Sequence, residues 1–276
     1  MIHATSRSAL AALRERLNGV LASLPDDGGA SQQTLADEIY EVADLFASQP
    51  RLRRALADPS TDASGRAEFI RSLLGERLSQ AAVSLAADAV SQRWSAPWDL
   101  ADGLDVIGDD ALLAAAEQQG QLDAVEDELF RFERILAASG ELAATLDERG
   151  VAAQRRRGLL ESLLAGKVNP ITMRLLGHAV QSGRKRSLSL AVDDLLQASS
   201  LRRARSIARV LSAAELTPEQ TARLSETLTR IYQRPIDVRT AVDPKVRGGL
   251  VIRVGDEVID GSVATRLAAA RAALAG

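Results

Sequence analysis

The sequence predicts a mainly α-helical protein: two tandem antiparallel helical bundles, the second a repeat of the first, followed by a small C-terminal α/β domain with a short sheet. Three observations predict it. Leucine and alanine recur at helical spacing as far as about Leu201. A shift of 90 residues lays one stretch of that pattern over another. Beyond Leu201 the period changes to that of half-buried strands. The division expected is residues 1–105, 106–200 and 201–276.

Leu10, Leu13, Leu17, Val20, Leu21 and Leu24 form the stripe of a first amphipathic helix, which "PDDGGAS" (Pro25 to Ser31) stops. Leu35, Ile39, Val42 and Phe46 form the stripe of a second. Shifted by 90, these four fall on Val125, Leu129, Phe132 and Leu136, and the register runs without a gap to Arg93 over Gly183. Thirteen of those 59 pairs are identical, among them Asp37/Asp127, Glu38/Glu128, Arg66/Arg156 and Leu85/Leu175. Where identity fails, apolar still matches apolar, as at Phe69/Leu159 and Val83/Met173. Each copy has a long helix, a short one near Leu52 or Leu142, one with a Leu-Leu pair, and another ending near Arg93 or Gly183. Short connections make these antiparallel neighbours. Trp94 and Trp98 are expected to cover the end of the first bundle.

In the last part, Ile207, Val210 and Leu211 suit a short strand. Thr217, Pro218 and Gln220 are a helix start: a hydroxyl cap, proline at the first helical position, and an amide that can reach back. Leu224, Leu228 and Ile231 continue that helix. Ile236, Val238, Thr240 and Val242 alternate with polar neighbours, as do Leu250, Ile252 and Val254. Gly255-Asp256 supplies a reversal and Val258-Ile259 returns. Asp260 or Ser262 caps a last helix carrying Val263, Leu267, Ala270 and Leu274.

Composition excludes several functions. A net charge of −3 gives no reason to expect nucleic acid, and 3% aromatic residues are too few for base-stacking platforms. With no cysteine there is no disulfide, thiolate nucleophile or cysteine metal site. The N-terminal stretch, interrupted by Arg14, Glu15 and Arg16, lacks the apolar run of a signal peptide, and no segment is apolar enough to span a bilayer. Gly166-Lys167 does not make a phosphate loop, because Val168 stands where a hydroxyl is needed and Glu161 where the first glycine belongs. The two histidines, His3 and His178, are isolated, so a zinc site or a serine triad has no support. Asp123, Glu126, Asp127 and Glu128 read as the solvated side of a helix. The runs Arg155–Arg157, Arg184–Arg186 and Arg202–Arg205 read the same way, with contact to phosphate or an acidic partner as the alternative. No catalytic, cofactor or metal residue is expected; the reading is a binding or structural protein.

Ile236, Val238, Val242-Asp243, Val246, Gly248-Gly249-Leu250, Ile252-Arg253 and Gly255, continued by "GDEVIDGSVATRL" (Gly255 to Leu267), resemble the signature of the delta subunit of F-type ATP synthases. The mitochondrial counterpart of that subunit is the oligomycin sensitivity conferral protein. "LTPEQ" and "SGR" (Ser182 to Arg184) extend the likeness back to about Asp109. The usual delta subunit has one helical domain, so two copies resemble the long actinobacterial form. The resemblance implies a non-catalytic stator. Its helical domain would bind the N-terminal helices of the alpha subunits, and its C-terminal domain the end of the b-subunit stalk. It further implies a peripheral place on the cytoplasmic side of a bacterial plasma membrane. The signature residues Asp243, Gly248, Gly249, Arg253, Gly255, Asp256, Asp260, Gly261 and Ser262 are expected in structural roles, and Arg184, Arg266 and Arg271 as partner contacts. The competing reading is a helical adaptor unrelated to the synthase.

Overall fold

The computed structural model describes residues 4–182, 187–205, 207–232, 236–243, 246, 248–254 and 257–263. These contain twelve helices and four strands, and the chain divides into two compact units, Met1–Leu196 and Gln197–Gly276.

The first unit is helical: α1 (Ala4–Ser23), α2 (Ala30–Ser48), α3 (Pro50–Ala57), α4 (Ala63–Leu74), α5 (Gln80–Ser91), α6 (Pro97–Gln118), α7 (Leu122–Ala138), α8 (Gly140–Asp147), α9 (Ala153–Leu164), α10 (Pro170–Ser182) and the beginning of α11 (Leu188–Arg205). The 90-residue shift carries α3 onto α8 and α4 onto α9 with both ends matched, and α5 onto the start of α10. It also lays α1 over α6 and α6 over α11. One helix therefore closes the first copy and opens the second, and position 105/106 falls inside it. Pro97 sets its start, since proline is tolerated where the amide needs no partner. Its Leu100, Leu104, Ile107, Ala111, Leu112 and Leu113 are all fully buried. Its aspartates, Asp99, Asp102, Asp105, Asp109 and Asp110, are half-buried, and the apolar remainder lets α6 pack on α1, α2, α3, α5, α7 and α10.

The repeat extends to polar details. Glu38 on α2 accepts from the Ser79 amide (2.8 Å) and hydroxyl (2.5 Å) at the start of α5. Its counterpart Glu128 on α7 accepts from the Asn169 amide (2.8 Å) and the Thr172 hydroxyl (2.6 Å) at the start of α10. A carboxylate at a helix N-terminus satisfies free amides and meets the positive end of the helix dipole. Glu128 is thus engaged, not solvated. Arg66 and Arg156 are both buried. Arg66 donates to the carbonyls of Val90 (2.8 Å), Asp58 (2.7 Å) and Thr61, and Arg156 to that of Leu146 (2.9 Å). Each serves the last carbonyls of the short helix before it, a favourable place for a cation. Only the middle residue of the Arg155–Arg157 run is withdrawn in this way; Arg157 bonds Glu161 on its own helix.

Trp94 and Trp98 occupy different environments, because α6 starts between them at Pro97. Trp94 is buried, donates its indole N–H to the Ala89 carbonyl (2.8 Å) and fills the space beside Gly103. Trp98 takes the guanidinium of Arg53 over its ring at 3.5 Å.

The second unit pairs α12 (Pro218–Tyr232) with a four-stranded sheet, β1 (Ile207–Ser212), β2 (Asp237–Val242), β3 (Leu250–Val254) and β4 (Glu257–Asp260), in the order β2-β1-β3-β4. β1 and β2 are parallel across the α12 connection; β3 and β4 are antiparallel neighbours. The capping box forms in both directions, Thr217 amide to Gln220 Oε1 (2.9 Å) and Gln220 amide to Thr217 Oγ1 (3.2 Å). Leu228, Leu224 and Tyr232 pack on Ala208, Val210, Ile236, Val238, Ile252 and Val254. Thr240 and Val242, expected to face inward with Ile236, are exposed, because β2 is an edge strand and the cluster under α12 reaches no further than Val238.

Gly248 and Gly249 both have φ +81°. The chain here runs against Gly261–Val263: the Val263 amide donates to Gly248 O (3.0 Å) and the Gly261 amide to Leu250 O (2.9 Å). A Cβ on Gly249 would lie 2.4 Å from the Gly261 oxygen. Gly249→Ala is expected to destabilise this unit by about 2 kcal/mol or more, from strain and clash together. Gly140→Ala in α8, where a Cβ meets nothing within 4 Å, is expected to cause no such loss, and urea denaturation read at the amides of each variant's own unit checks both.

Candidate partner-binding surfaces

Three surfaces follow from this framework: the junction between the helical copies, the open face of the sheet, and the loops that carry the signature.

The junction is formed by α2, α6 and α10. A Cβ at Gly108 on α6 would lie 2.3 Å from Tyr40 Cε1, so a bare backbone there admits the ring. Tyr40, buried on α2, donates to Asp109 Oδ1 (2.7 Å) and stacks on His178 of α10 with ring centroids 3.6 Å apart. His178, its side chain 9% exposed, holds Asp105 Oδ1 at 3.0 Å. Above them Arg174 donates to Gln33 Oε1 (2.6 Å) and Gln33 O (3.1 Å) and pairs with Asp37. The isolated histidine is therefore a packing residue that joins the second copy to the first. The sequence did carry a signal for this site. Asp105, Gly108 and Asp109 stand at i, i+3, i+4, a spacing that puts two carboxylates and a gap on one face of the helix.

Among the signature residues, Asp243 follows β2 and donates its amide to Ser212 O (2.9 Å). Asp260 Oδ1 accepts from the Ser262 amide (2.9 Å), and Ser262 is buried. Gly248, Gly249 and Gly261 form the close approach described above. Val254 and Glu257 pair across the β3–β4 connection, whose two residues, Gly255 and Asp256, lie outside the described residues. So do Arg184, Arg266 and Arg271, and the last helix beyond Val263.

Arg253 leads to a feature that sequence spacing did not reveal. It pairs in register with Arg209 on β1, which pairs in turn with Arg239 on β2. Register partners project to the same side of a sheet. Three exposed arginines thus stand in a row on the face opposite α12, with exposed Leu211 and Val258 and half-buried Val251. Arg239 holds Asp237 Oδ2 at 3.2 Å. Like charges in register are unfavourable.

The ATP synthase delta (OSCP) subunit family model matches residues 110–274. The ATP synthase subunit delta of Beutenbergia cavernae is 42% identical over 275 residues, all of both chains. Those of Streptomyces coelicolor and Rhodococcus opacus are 42% identical over 96% and 41% identical over 99% of each chain. The chain belongs to the ATP synthase delta (OSCP) subunit family. This is a family of non-catalytic stator subunits, and it removes the unrelated adaptor from consideration. A chain of the Toxoplasma gondii mitochondrial ATP synthase hexamer matches 61% of this chain and 95% of its own at 24% identity, but its TM-score of 0.28 is too low to bear on the fold. The delta-family match begins at residue 110, within α6, whereas the bacterial relatives run the full length; the first helical copy belongs to this long form.

The junction of α2, α6 and α10 carries charge. Part of Asp109 meets solvent, yet the protein packed around its carboxyl pushes its pKa up to about 7, against the pull of His178 and the Tyr40 hydroxyl. Burial alone would lower His178. The hydrogen bond and charge of Asp105, with Asp109 and Asp44, outweigh it and raise the imidazole above its usual value. Burial, then the Asp109 charge, raises Tyr40 well above the ordinary phenol. Both Asp109 and His178 have folded values above their unfolded ones, so each favours the folded state when protonated. Their stabilisation is complete below the unfolded values and is lost as pH rises through the folded ones. The lowered carboxyls of this unit, Asp27, Asp58 and Asp62, act in the opposite sense, but only at acid pH. The helical unit is therefore expected to lose stability between pH 5 and pH 8, visible as a falling urea midpoint. Asp109→Asn, which keeps an oxygen for Tyr40, should remove at least half of that fall.

Proposed function

We propose that this chain is the stator connector of an F-type ATP synthase, holding the alpha/beta head still against the b stalk so that proton-driven rotation is coupled to ATP synthesis. The observation that carries the proposal is its full-length likeness to delta subunits of the same long form. The fold suits the task. A connector under torque needs stiff elements and no titrating nucleophile, and a doubly used helix such as α6 leaves no flexible linker between the helical copies. In this reading the chain is three functional modules, residues 1–105, 106–200 and 201–276, with α6 common to the first two. It works at the cytoplasmic face of the bacterial plasma membrane, held there by its partners; among the described residues no helix is long and apolar enough to cross a membrane.

The alpha-subunit N-terminal helices are assigned to the helical unit, since an amphipathic helix in a groove between bundle helices is a familiar recognition mode. The b-subunit end is assigned to the second unit, on the face bearing Arg209, Arg239 and Arg253, with Arg266 and Arg271 as further contacts; Arg184 remains a partner contact of the helical unit. A row of like charges that weakens the isolated sheet suits an acidic partner that relieves it.

The test is calorimetric titration of the intact chain with a peptide of the cognate alpha N-terminus and, separately, with the C-terminal segment of b. Cutting at 105/106 would sever α6, so the contact is located by amide exchange instead. The alpha peptide is expected to protect residues of the helical unit and the b segment those after Gln197. Failure of both peptides to bind would overturn the assignment. Arg209→Thr is expected to stabilise the second unit by about 0.2 to 1 kcal/mol while weakening b binding several-fold. Weaker binding without that gain in stability would contradict the strained row.

A further inference from the structure

We propose that the outer face of α7, centred on Asp123, Asp127 and Phe130, docks a helix from another subunit of the synthase, and that the contact between α2 and α10 inside this chain is its template. This rests on the stator assignment above.

α2 is engaged on two sides. Its inner stripe, Leu35, Ile39, Val42 and Phe46, faces its own copy, and Gln33, Asp37 and Tyr40 receive Arg174 and His178 of α10. The two helices run in the same sense there, with Arg174 beside Gln33 and Asp37 and His178 beside Tyr40. Shifting α2 by 90 residues gives α7, whose inner stripe, Val125, Leu129, Phe132 and Leu136, is buried in the same manner. The positions of Gln33, Asp37 and Tyr40 become Asp123, Asp127 and Phe130. This second face is open where α2 is covered at Tyr40: Phe130 is 50% exposed against 8% for Tyr40, beside the exposed Asp127. Arg134 stands where α2 has Asp44 and lies 6.0 Å from the Phe130 ring centroid.

The chemistry of the occupant follows from the template. Asp127, in the place of Asp37, which pairs with Arg174, calls for an arginine. A bare phenyl ring in place of a hydrogen-bonded phenol calls for a flat or aliphatic side chain one turn later. The change from Asp44 to Arg134 calls for a carboxylate a further turn on. The occupant is an amphipathic helix with arginine at i, a ring or aliphatic residue at i+4 and Asp or Glu near i+7 or i+8. A second copy of this chain does not supply it, because the matching helix, α10, already lies against α2.

The experiment is photo-crosslinking within the purified, assembled synthase. A benzophenone amino acid replaces Phe130 in one preparation and, as a control on an exposed face outside the proposal, Phe69 in another. Retained secondary structure and co-purification with the head confirm folding and assembly. The Phe130 probe is expected to mark a peptide of another subunit with the stated spacing, and Asp127→Arg to lower that yield at least tenfold while Asp127→Asn lowers it less. The inference is overturned if the Phe130 probe marks nothing above the Phe69 level, marks only this chain, or marks a segment whose capture ignores Asp127→Arg. A chain that folds but does not co-purify with the head would instead overturn the stator assignment.

Discussion

The architecture of the helical unit depends on one helix being used twice. α6 is the last helix of the first copy and the first of the second, so two bundles share part of one core instead of meeting through a linker. Sharing is feasible because α6 buries a broad run of leucine, isoleucine and alanine and has a glycine, Gly108, where a partner must come closest. The aromatic ring of Tyr40 fills that gap, His178 stacks on the ring, and the carboxylates of Asp105 and Asp109 hold the polar atoms of both. Placing such groups inside a junction demands that each find a partner, since an orphaned buried polar group is destabilising by about 1 to 3 kcal/mol. Geometry there is consequently specified much more tightly than apolar packing alone would specify it.

A stator subunit transmits torque and performs no chemistry, and several features read naturally in that light. Arginines that end short helices, glutamates that begin the following ones, and a tryptophan tied to a carbonyl all remove local freedom from a helical body. The second unit differs in kind. Its core is small, its sheet has an open face, and that face carries three arginines in register, an arrangement that isolated stability disfavours. Features that weaken a fold locally tend to mark where it binds, and here the weakness is electrostatic and so is the expected remedy.

Local features were legible in the sequence. Thr217, Pro218 and Gln220 form the capping box because all its atoms come from neighbouring residues, and the 90-residue repeat survives because each copy buries the same stripe. The Gly248-Gly249 pair is also local in cause, though its purpose became visible only when Gly261–Val263 was seen alongside. What escaped was tertiary pairing. Tyr40 and Asp109, or Arg174 and Gln33, are far apart in the chain, and nothing in the spacing of either says that the other faces it. The arginine row was hidden similarly: Arg209, Arg239 and Arg253 lie on three strands, and only register aligns them. Thr240 and Val242 show the converse failure, an alternation that is present in sequence and has nothing above it to cover it.

The central claim is that α6 fuses the two helical copies into one cooperative body. Trp94 packs against Gly103 and Trp98 under Arg53 of α3, so urea unfolding followed by their fluorescence reports the packing of the first copy on the start of α6. Amide exchange in α9 and α10 under the same conditions reports the second. Shared midpoints, moving together when Gly108→Ala displaces the Tyr40 ring, are what a shared helix requires. Two separate midpoints, with α10 indifferent to Gly108→Ala, would show two independent bundles and contradict the account.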